Sequence, residues 1–374
     1  MPLSVSLPIQ PDVPLAPLTT LELGGPAQFL LEARSEDDVE AGLAWAEARG
    51  LPAHLLGAGS NLIVPDAGVP GLVIRLATRG LTFQPGADAV MCEVAAGERW
   101  DDVVAAAVER DLAGIECLSG IPGTAGATPV QNVGAYGQEV SETIARVRVY
   151  DRQARSITTL APAACGFAYR DSTFKRDPGR FVLLGVTFAL VPGGAPALRY
   201  PELHNEVRNQ LRAAYPEATP MPTLAEVRRV VIGLRRRKSM VIDAADPNRR
   251  SVGSFFTNPV VSPAAADAIA ARAEAAGLIA SPADLPRFPA ANGQQKLAAA
   301  WLIERAGVRK GERRGGIAVS SAHALALVHL GGARTADLLA FAREIRDRVA
   351  TRFGVTLAPE PVVLGAAPGA DPLA

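Results

Sequence analysis

Two glycine-rich segments carry backbone that could approach an anion. Leu55-Leu56-Gly57-Ala58-Gly59-Ser60-Asn61-Leu62 follows an apolar strand pattern, and its glycines leave N–H groups bare enough to meet a pyrophosphate. It is not a Rossmann fingerprint, because Leu62 stands where the third glycine belongs and no acidic residue lies about twenty positions on to take a ribose hydroxyl. Read alone, it serves equally well as a tight turn. The second segment is Ser119-Gly120-Ile121-Pro122-Gly123-Thr124-Ala125-Gly126-Ala127-Thr128-Pro129-Val130-Gln131-Asn132-Val133-Gly134-Ala135-Tyr136-Gly137, with five glycines and two prolines in nineteen residues. Ordering so much glycine costs conformational entropy, and a long irregular segment inside a domain is more often a binding loop than a spacer.

Three further residues could manage charge and protons. Arg170, in Phe167-Ala168-Tyr169-Arg170-Asp171-Ser172, offers a planar, permanent cation suited to gripping a carboxylate, although the segment alone favours a surface ion pair with Asp171 or Glu116. Ser254, between Gly253 and Phe255-Phe256, is a hydroxyl in an apolar wall, or simply a turn or cap residue. Glu360 lies between Pro359 and Pro361, which restrict the backbone and help to hold one carboxyl still; its plainer reading is an exposed glutamate near the chain's end.

The elements that must position these groups are marked by periodicity. Ser35 three residues ahead of Asp38, with Val39, Leu43 and Ala46 on one face and Gly50 as a stop, predicts a helix. Trp100, Val103, Val104, Ala107 and Val108 predict another; Ser262-Pro263 opens an alanine-rich helix closed by Gly277, and Leu338, Ala342, Ile345 and Val349 mark a last long one. Strand-like runs fall at Leu72 to Leu76, Val90 to Val94, Val147 to Tyr150, Phe181 to Leu190, Ile317 to Val319 and Ala324 to Leu330. Strands outnumber helices without strict alternation, which predicts an α+β fold.

The chain has 374 residues, 48% of them hydrophobic, enough for two or three domains and too apolar for general disorder. Its 38 basic and 38 acidic residues cancel, so no global field draws it to nucleic acid or an anionic membrane. The basic stretch from Arg228 to Arg250 (Arg228, Arg229, Arg235, Arg236, Arg237, Lys238, Arg249, Arg250) lacks interleaved aromatics for stacking on bases and reads mostly as a solvated helix face. Cys92, Cys117 and Cys165 suit neither a disulfide framework nor a zinc site, and His54, His204, His323 and His329 have no metal spacing. A reducing cytosol is the expected compartment, with no signal peptide and no transmembrane helix. The proline-rich start to Pro17 and the tail Ala366 to Ala374 are expected to be mobile.

Taken together and in order, Gly57-Ala58-Gly59-Ser60-Asn61-Leu62, the loop from Ile121-Pro122-Gly123 to Gly137, Tyr169-Arg170-Asp171-Ser172, Gly253-Ser254-Phe255-Phe256-Thr257-Asn258-Pro259 and Leu357-Ala358-Pro359-Glu360 resemble the UDP-N-acetylenolpyruvoylglucosamine reductases, the MurB family. The likeness runs from about Thr19 to Gly365 and is closest to the long-loop class. It implies a two-part flavin domain of the vanillyl-alcohol-oxidase (PCMH) type plus a C-terminal α+β substrate domain. The expected boundaries are 1–79 with the return of 361–367, 80–222 and 223–360, leaving 368–374 as a tail.

The resemblance also implies FAD and NADPH as cofactors, and reduction of an enolpyruvyl ether to a lactyl ether in peptidoglycan precursor synthesis. Gly57 to Leu62 and Ile121, Pro122, Gly123, Thr124, Gly126, Ala127, Gln131, Asn132, Gly134, Ala135, Tyr136 and Gly137 would cradle FAD. Ser254 would be the proton donor, Arg170 would stabilise the enolate and Glu360 would hydrogen-bond to it. Tyr169, Tyr200, Lys238, Asn258 and Gln295 would meet UDP-N-acetylglucosamine enolpyruvate, and a monomer with no nucleic-acid or membrane partner is expected. Ala358 and Thr257 depart from the family's frequent acidic residue and lysine, which leaves secondary substrate contacts open. Two other readings remain: an FAD-dependent sugar or lactone oxidase or dehydrogenase of the same fold, and a non-catalytic binder of anionic polymers.

Overall fold

Alternation of buried and exposed residues along Pro26–Ala33, and a nearly continuous apolar run in Val69–Leu76, build the first sheet. In the computed structural model, which describes residues 7–218, 220–367 and 369–374, the order is Gln10–Pro14, Pro26–Ala33, Val69–Leu76, Ala53–Leu56. The first pair is antiparallel and the others parallel. Helix α1, Glu36–Glu47, crosses between parallel strands. Ser35 caps it, accepting from Asp38 N at 3.1 Å while the Asp38 carboxylate accepts from Ser35 N. Its Val39, Leu43 and Ala46 bury against Leu31, Leu72 and Ile74.

The second sheet is antiparallel, in the order Ser156–Leu160, Ile144–Asp151, Phe181–Pro192, Val90–Ala95, Leu81–Pro85, with Leu112–Ala113 pairing the far end of Phe181–Pro192. Helix α2, Trp100–Glu109, lays its apolar stripe on this sheet, and the Trp100 indole donates to Leu118 O at 3.1 Å. Short helices α3, Pro162–Cys165, and α4, Thr173–Arg176, flank the turn that carries Arg170.

Helices α5, Pro201–Ala214, and α6, Leu224–Arg237, pack as a pair: Leu203, Val207 and Leu211 meet Val227, Val230, Val231 and Leu234 over Cys117. Leu224 enters the core of the second sheet. The boundary expected after residue 222 therefore falls between two helices that share a core, and by packing α6 belongs with the second unit. That boundary rests on the proline-rich stretch from Pro192 to Pro222, and proline content signals a linker but not which side claims the next helix.

The third unit joins a sheet ordered Ser251–Ser254, Ala326–His329, Ile317–Val319, Arg313–Arg314 to a smaller one ordered Val260–Val261, Gln295–Leu297, Arg287–Pro289. Helices α7, Pro263–Ala275, α8, Ala299–Arg305, and α9, Thr335–Phe353, cover them around Phe255, Phe256, Phe341 and Phe353. Leu21, Leu23 and Ile63 reach into this core from the first unit. After Glu360 the chain returns, and Val362–Val363 pairs in parallel with Leu62–Ile63.

Both chain ends differ from expectation where they are described. Gln10–Pro14 is an edge strand, which tolerates its prolines, and Leu15 is fully buried. The expected mobile tail is docked: Leu373 is fully buried, and Arg346 reaches Leu373 O at 2.9 Å and Asp371 at 3.0 Å. Pro368, within the same tail, lies outside the described residues. Among the described residues no helix is long and apolar enough to cross a membrane.

Candidate active site

The two glycine loops face each other. Gly59 has φ +64°, and a Cβ there would lie 2.4 Å from Leu18 O, so only glycine fits without movement of the chain. Gly57 opposes Thr124 and Gly123 opposes Ser60, whose hydroxyl donates to Pro122 O at 3.3 Å. Among the described residues, the N–H groups of Ala58, Gly59, Ser60, Asn61, Gly123 and Thr124 have no protein acceptor. A concave run of free N–H groups suits a diphosphate, so the donor set fits the dinucleotide the sequence implies.

Other loop residues do different work. Gly126 packs on Ala96, where a Cβ would come within 2.5 Å of the Ala96 side chain, and Ala127 is exposed. Leu62 sits in the strand that receives the returning chain. Asn132 is buried as a pin, donating to Glu139 at 2.7 Å and to Ala168 O at 3.1 Å. Gly134–Ala135 forms a small hairpin with Gln138–Glu139. Tyr136, at φ +50°, stacks edge-on with Tyr200, ring centroids 5.6 Å apart, and Gly137 lies against Arg199.

Arg170 also holds a left-handed backbone, φ +53°, inside a turn closed by reciprocal Ala168 and Asp171 bonds of 3.0 and 3.1 Å. Lys175 Nζ donates to Arg170 O at 2.8 Å. The guanidinium donates to Gly134 O at 2.8 Å, and its Nε faces Glu360 Oε1 at 3.5 Å. Asp171 pairs with Arg176, and Glu116 is consumed by Gly114, Gln138 and Ala197. The plainer ion pairs open to Arg170 are thus absent.

Glu360 is nearly enclosed, its side chain 13% exposed. Burial pushes its pKa above the usual carboxyl range, against the opposing pull of Arg170, Lys175 and a hydrogen bond from Gln131. Its N–H donates to Phe255 O at 2.9 Å, and Phe256 bridges Pro359, so residues 358–360 run beside the strand end that carries Ser254. Gly253 turns that strand at φ +74°. Arg170 and Glu360 therefore meet directly, and Ser254 precedes the residue whose carbonyl anchors Glu360.

The expected substrate contacts divide. Tyr169 has its hydroxyl pKa raised by burial, and the Asn258 oxygen accepts from Ala299 N at 2.9 Å at the head of α8. Lys238 is paired with Glu202 at 2.8 Å and lies 5.9 Å from the Tyr136 ring. Tyr200 leads α5 over Tyr136. Gln295 is in a strand, and it is the adjacent Lys296 that stands 4.7 Å over the Tyr169 ring. Consecutive strand residues face opposite ways, so 296 rather than 295 addresses the site.

The solvated-face reading of residues 228–250 needs correction. Arg228 is bidentate on Asp101, and Arg249 and Arg250 both meet Glu22. Arg235 lies beneath Gly120 and donates to Met240 O at 2.6 Å, with its Nε shut off from solvent; burial lowers its pKa to about 10. Of these residues, Arg229, Arg236 and Arg237 match the expectation of exposure. Helical spacing could have flagged Arg235, which follows the buried Leu234. Nothing in the local pattern marks Lys175 or Lys296.

Residues 27–159 match the family described as FAD binding domain, and residues 246–364 match UDP-N-acetylenolpyruvoylglucosamine reductase, C-terminal domain. The chain is 47% identical over 355 residues to the UDP-N-acetylenolpyruvoylglucosamine reductase of Streptomyces avermitilis, covering 95% of this chain and 94% of that one. It is 45% identical to the reductase of Mycobacterium avium, covering 94% of each. The crystal structure of the enzyme from Thermus caldophilus superposes with TM-score 0.63 at 25% identity, over 96% of this chain and 99% of that one. Fold, ordered motifs and near full-length similarity agree: this chain belongs to the UDP-N-acetylenolpyruvoylglucosamine reductase family.

Proposed function

We propose that this FAD-containing oxidoreductase uses NADPH to reduce UDP-N-acetylglucosamine enolpyruvate to UDP-N-acetylmuramate, a step of peptidoglycan precursor synthesis, and that Arg170, Ser254 and Glu360 carry the chemistry. The observation that bears most weight is the pairing of Arg170 Nε with the buried Glu360 carboxyl at 3.5 Å, beside the strand end of Ser254. The facing loops 57–61 and 122–124 would hold FAD by its diphosphate through free N–H groups.

Bound FAD supplies two-electron transfer from NADPH to the vinyl methylene. The carbon beside the substrate carboxylate then carries negative charge and needs a proton. Arg170 grips that carboxylate and spreads the charge. Burial raises the pKa of Glu360, and in its protonated form it would donate a hydrogen bond to the enolate. Ser254 delivers its hydroxyl proton to the carbon, and solvent restores it. Buried Phe255 and Phe256 keep water from the wall behind the serine. Lys238 would meet the diphosphate once it leaves Glu202, with Tyr200 closing over it.

An oxidase of the same fold would need a base at this point, and the family membership together with a carboxyl whose pKa burial raises supports the reductive direction. The test is anaerobic. Ser254→Ala should be reduced by NADPH at close to the parental rate, while reoxidation by the enolpyruvyl substrate falls about 10²–10⁴-fold, the range of a lost general acid. Equal losses in both half-reactions would refute the assignment.

A further inference from the structure

Gln131 does not point its amide at the cradle alone. Its Nε2 donates to Glu360 Oε1 at 3.2 Å, and its Oε1 accepts from Asn61 Nδ2 at 3.1 Å. The same Asn61 nitrogen donates to the main-chain oxygen of Glu360 at 3.3 Å. That last contact removes the usual ambiguity of amide orientation, because a main-chain carbonyl can only accept. Asn61 must present nitrogen there, so Gln131 must present oxygen to Asn61 and nitrogen to Glu360.

The two oxygens of Glu360 are therefore unlike. Oε1 receives the Gln131 amide and faces Arg170 Nε at 3.5 Å. A proton on Oε1 would point at donors, so a neutral Glu360 carries its hydrogen on Oε2. The charged and titratable groups around it are Arg170 and Lys175, with Tyr169 beside them, and none of these supplies an acceptor comparable to a carboxylate.

We propose that Gln131, held by Asn61, is a positioning residue that assigns the acid proton of Glu360 to Oε2, the oxygen left for substrate. The inference rests on reading Glu360 as the protonated carboxyl that hydrogen-bonds to the enolate in the second half-reaction, while Ser254 supplies the proton to carbon. It also couples the acid to the flavin cradle, because Asn61 and Gln131 belong to the two glycine-rich loops.

The test uses flavin-loaded full-length protein and follows reoxidation of reduced enzyme by UDP-N-acetylglucosamine enolpyruvate across pH. Glu360→Gln should abolish the alkaline limb of that profile. If the limb persists, the reaction does not depend on a protonated Glu360 and the underlying reading fails. If it disappears, Gln131→Met decides the present inference. Losing one donor to a carboxylate weakens the acid, so the limb should move to higher pH by about tenfold in acid constant while the plateau rate drops about tenfold. Asn61 acts through Gln131, so the double variant Gln131→Met/Asn61→Ala should share the limb of Gln131→Met. A limb unmoved in Gln131→Met, or moved further in the double variant, overturns the proposal. Loss of flavin or stability with an unmoved limb would mark a purely structural role.

Discussion

Arg170 adopts a backbone conformation that costs a side-chain-bearing residue roughly 1–3 kcal/mol, and several contacts hold it there. The Ala168–Asp171 turn and Lys175 fix the carbonyl, while Gly134 O and Glu360 fix the guanidinium. Lysine at 170 would keep the charge but could not span both partners with a planar fork. Arg170→Lys is expected to slow substrate-driven reoxidation by about 10²-fold, the loss of a preorganised donor to developing charge, with a much smaller effect on reduction by NADPH. Stopped-flow absorbance of each half-reaction measures both. At this scale the sequence reveals residue types, because ordered motifs expose Arg170, Ser254 and Glu360 as candidates. It does not reveal that Gln131 reaches Glu360, a contact between residues 229 apart, nor that Lys296 rather than Gln295 faces Tyr169. Those depend on side-chain direction, which composition does not encode.

Elements are most legible where local physics decides them. Helices α1, α2, α7 and α9 announce themselves by caps, apolar period or closing glycines, whereas the burial of Arg235 on α6 depends on what packs above it. The Gly57 to Leu62 loop makes its own prediction. Gly59→Ala puts a methyl group into Leu18 O in a left-handed backbone, so the loop must shift and purified protein should lose most of its flavin absorbance. Retention of full colour after dialysis would contradict the cradle.

The loop between Ile317–Val319 and Ala326–His329 makes a second prediction. Burial, aided by Lys238 and Lys310, lowers the pKa of His323 to about 4. An unfolded histidine titrates near 6.5, so the native state alone stays neutral between those values. Its contribution is present above the unfolded pKa and fades as pH falls through that window, by up to about 3 kcal/mol. Replacing His323 with glutamine should flatten the decline in Tm between pH 6.5 and 4.

Across the whole molecule, the three units are tied by short, specific contacts. Glu22 receives Arg249 and Arg250, and His329 Nδ1 donates to Leu21 O at 3.1 Å, so the third unit grips the loop ahead of Pro26–Ala33. The docked tail adds Leu373 to the third core. Leu373→Ala should cost about 2 kcal/mol in denaturant unfolding, the low end for a buried leucine because a terminal segment can relax, with flavin content unchanged. An unaltered midpoint would mean that the tail contributes nothing to stability. The α+β class is legible from strand and helix counts, but the assignment of α6 is not, since a proline-rich run marks a break without saying which core wins the following helix.

Asn61 and the Glu360 carbonyl it contacts are 299 residues apart. Translation therefore delivers the two glycine-rich loops long before the carboxyl that meets them. A nascent polypeptide stalled between the second loop and that glutamate has both loops synthesised but lacks the carboxyl and the returning strand Val362–Val363 that pairs beside the first of them. Premature termination in that interval would leave a product incompetent for turnover.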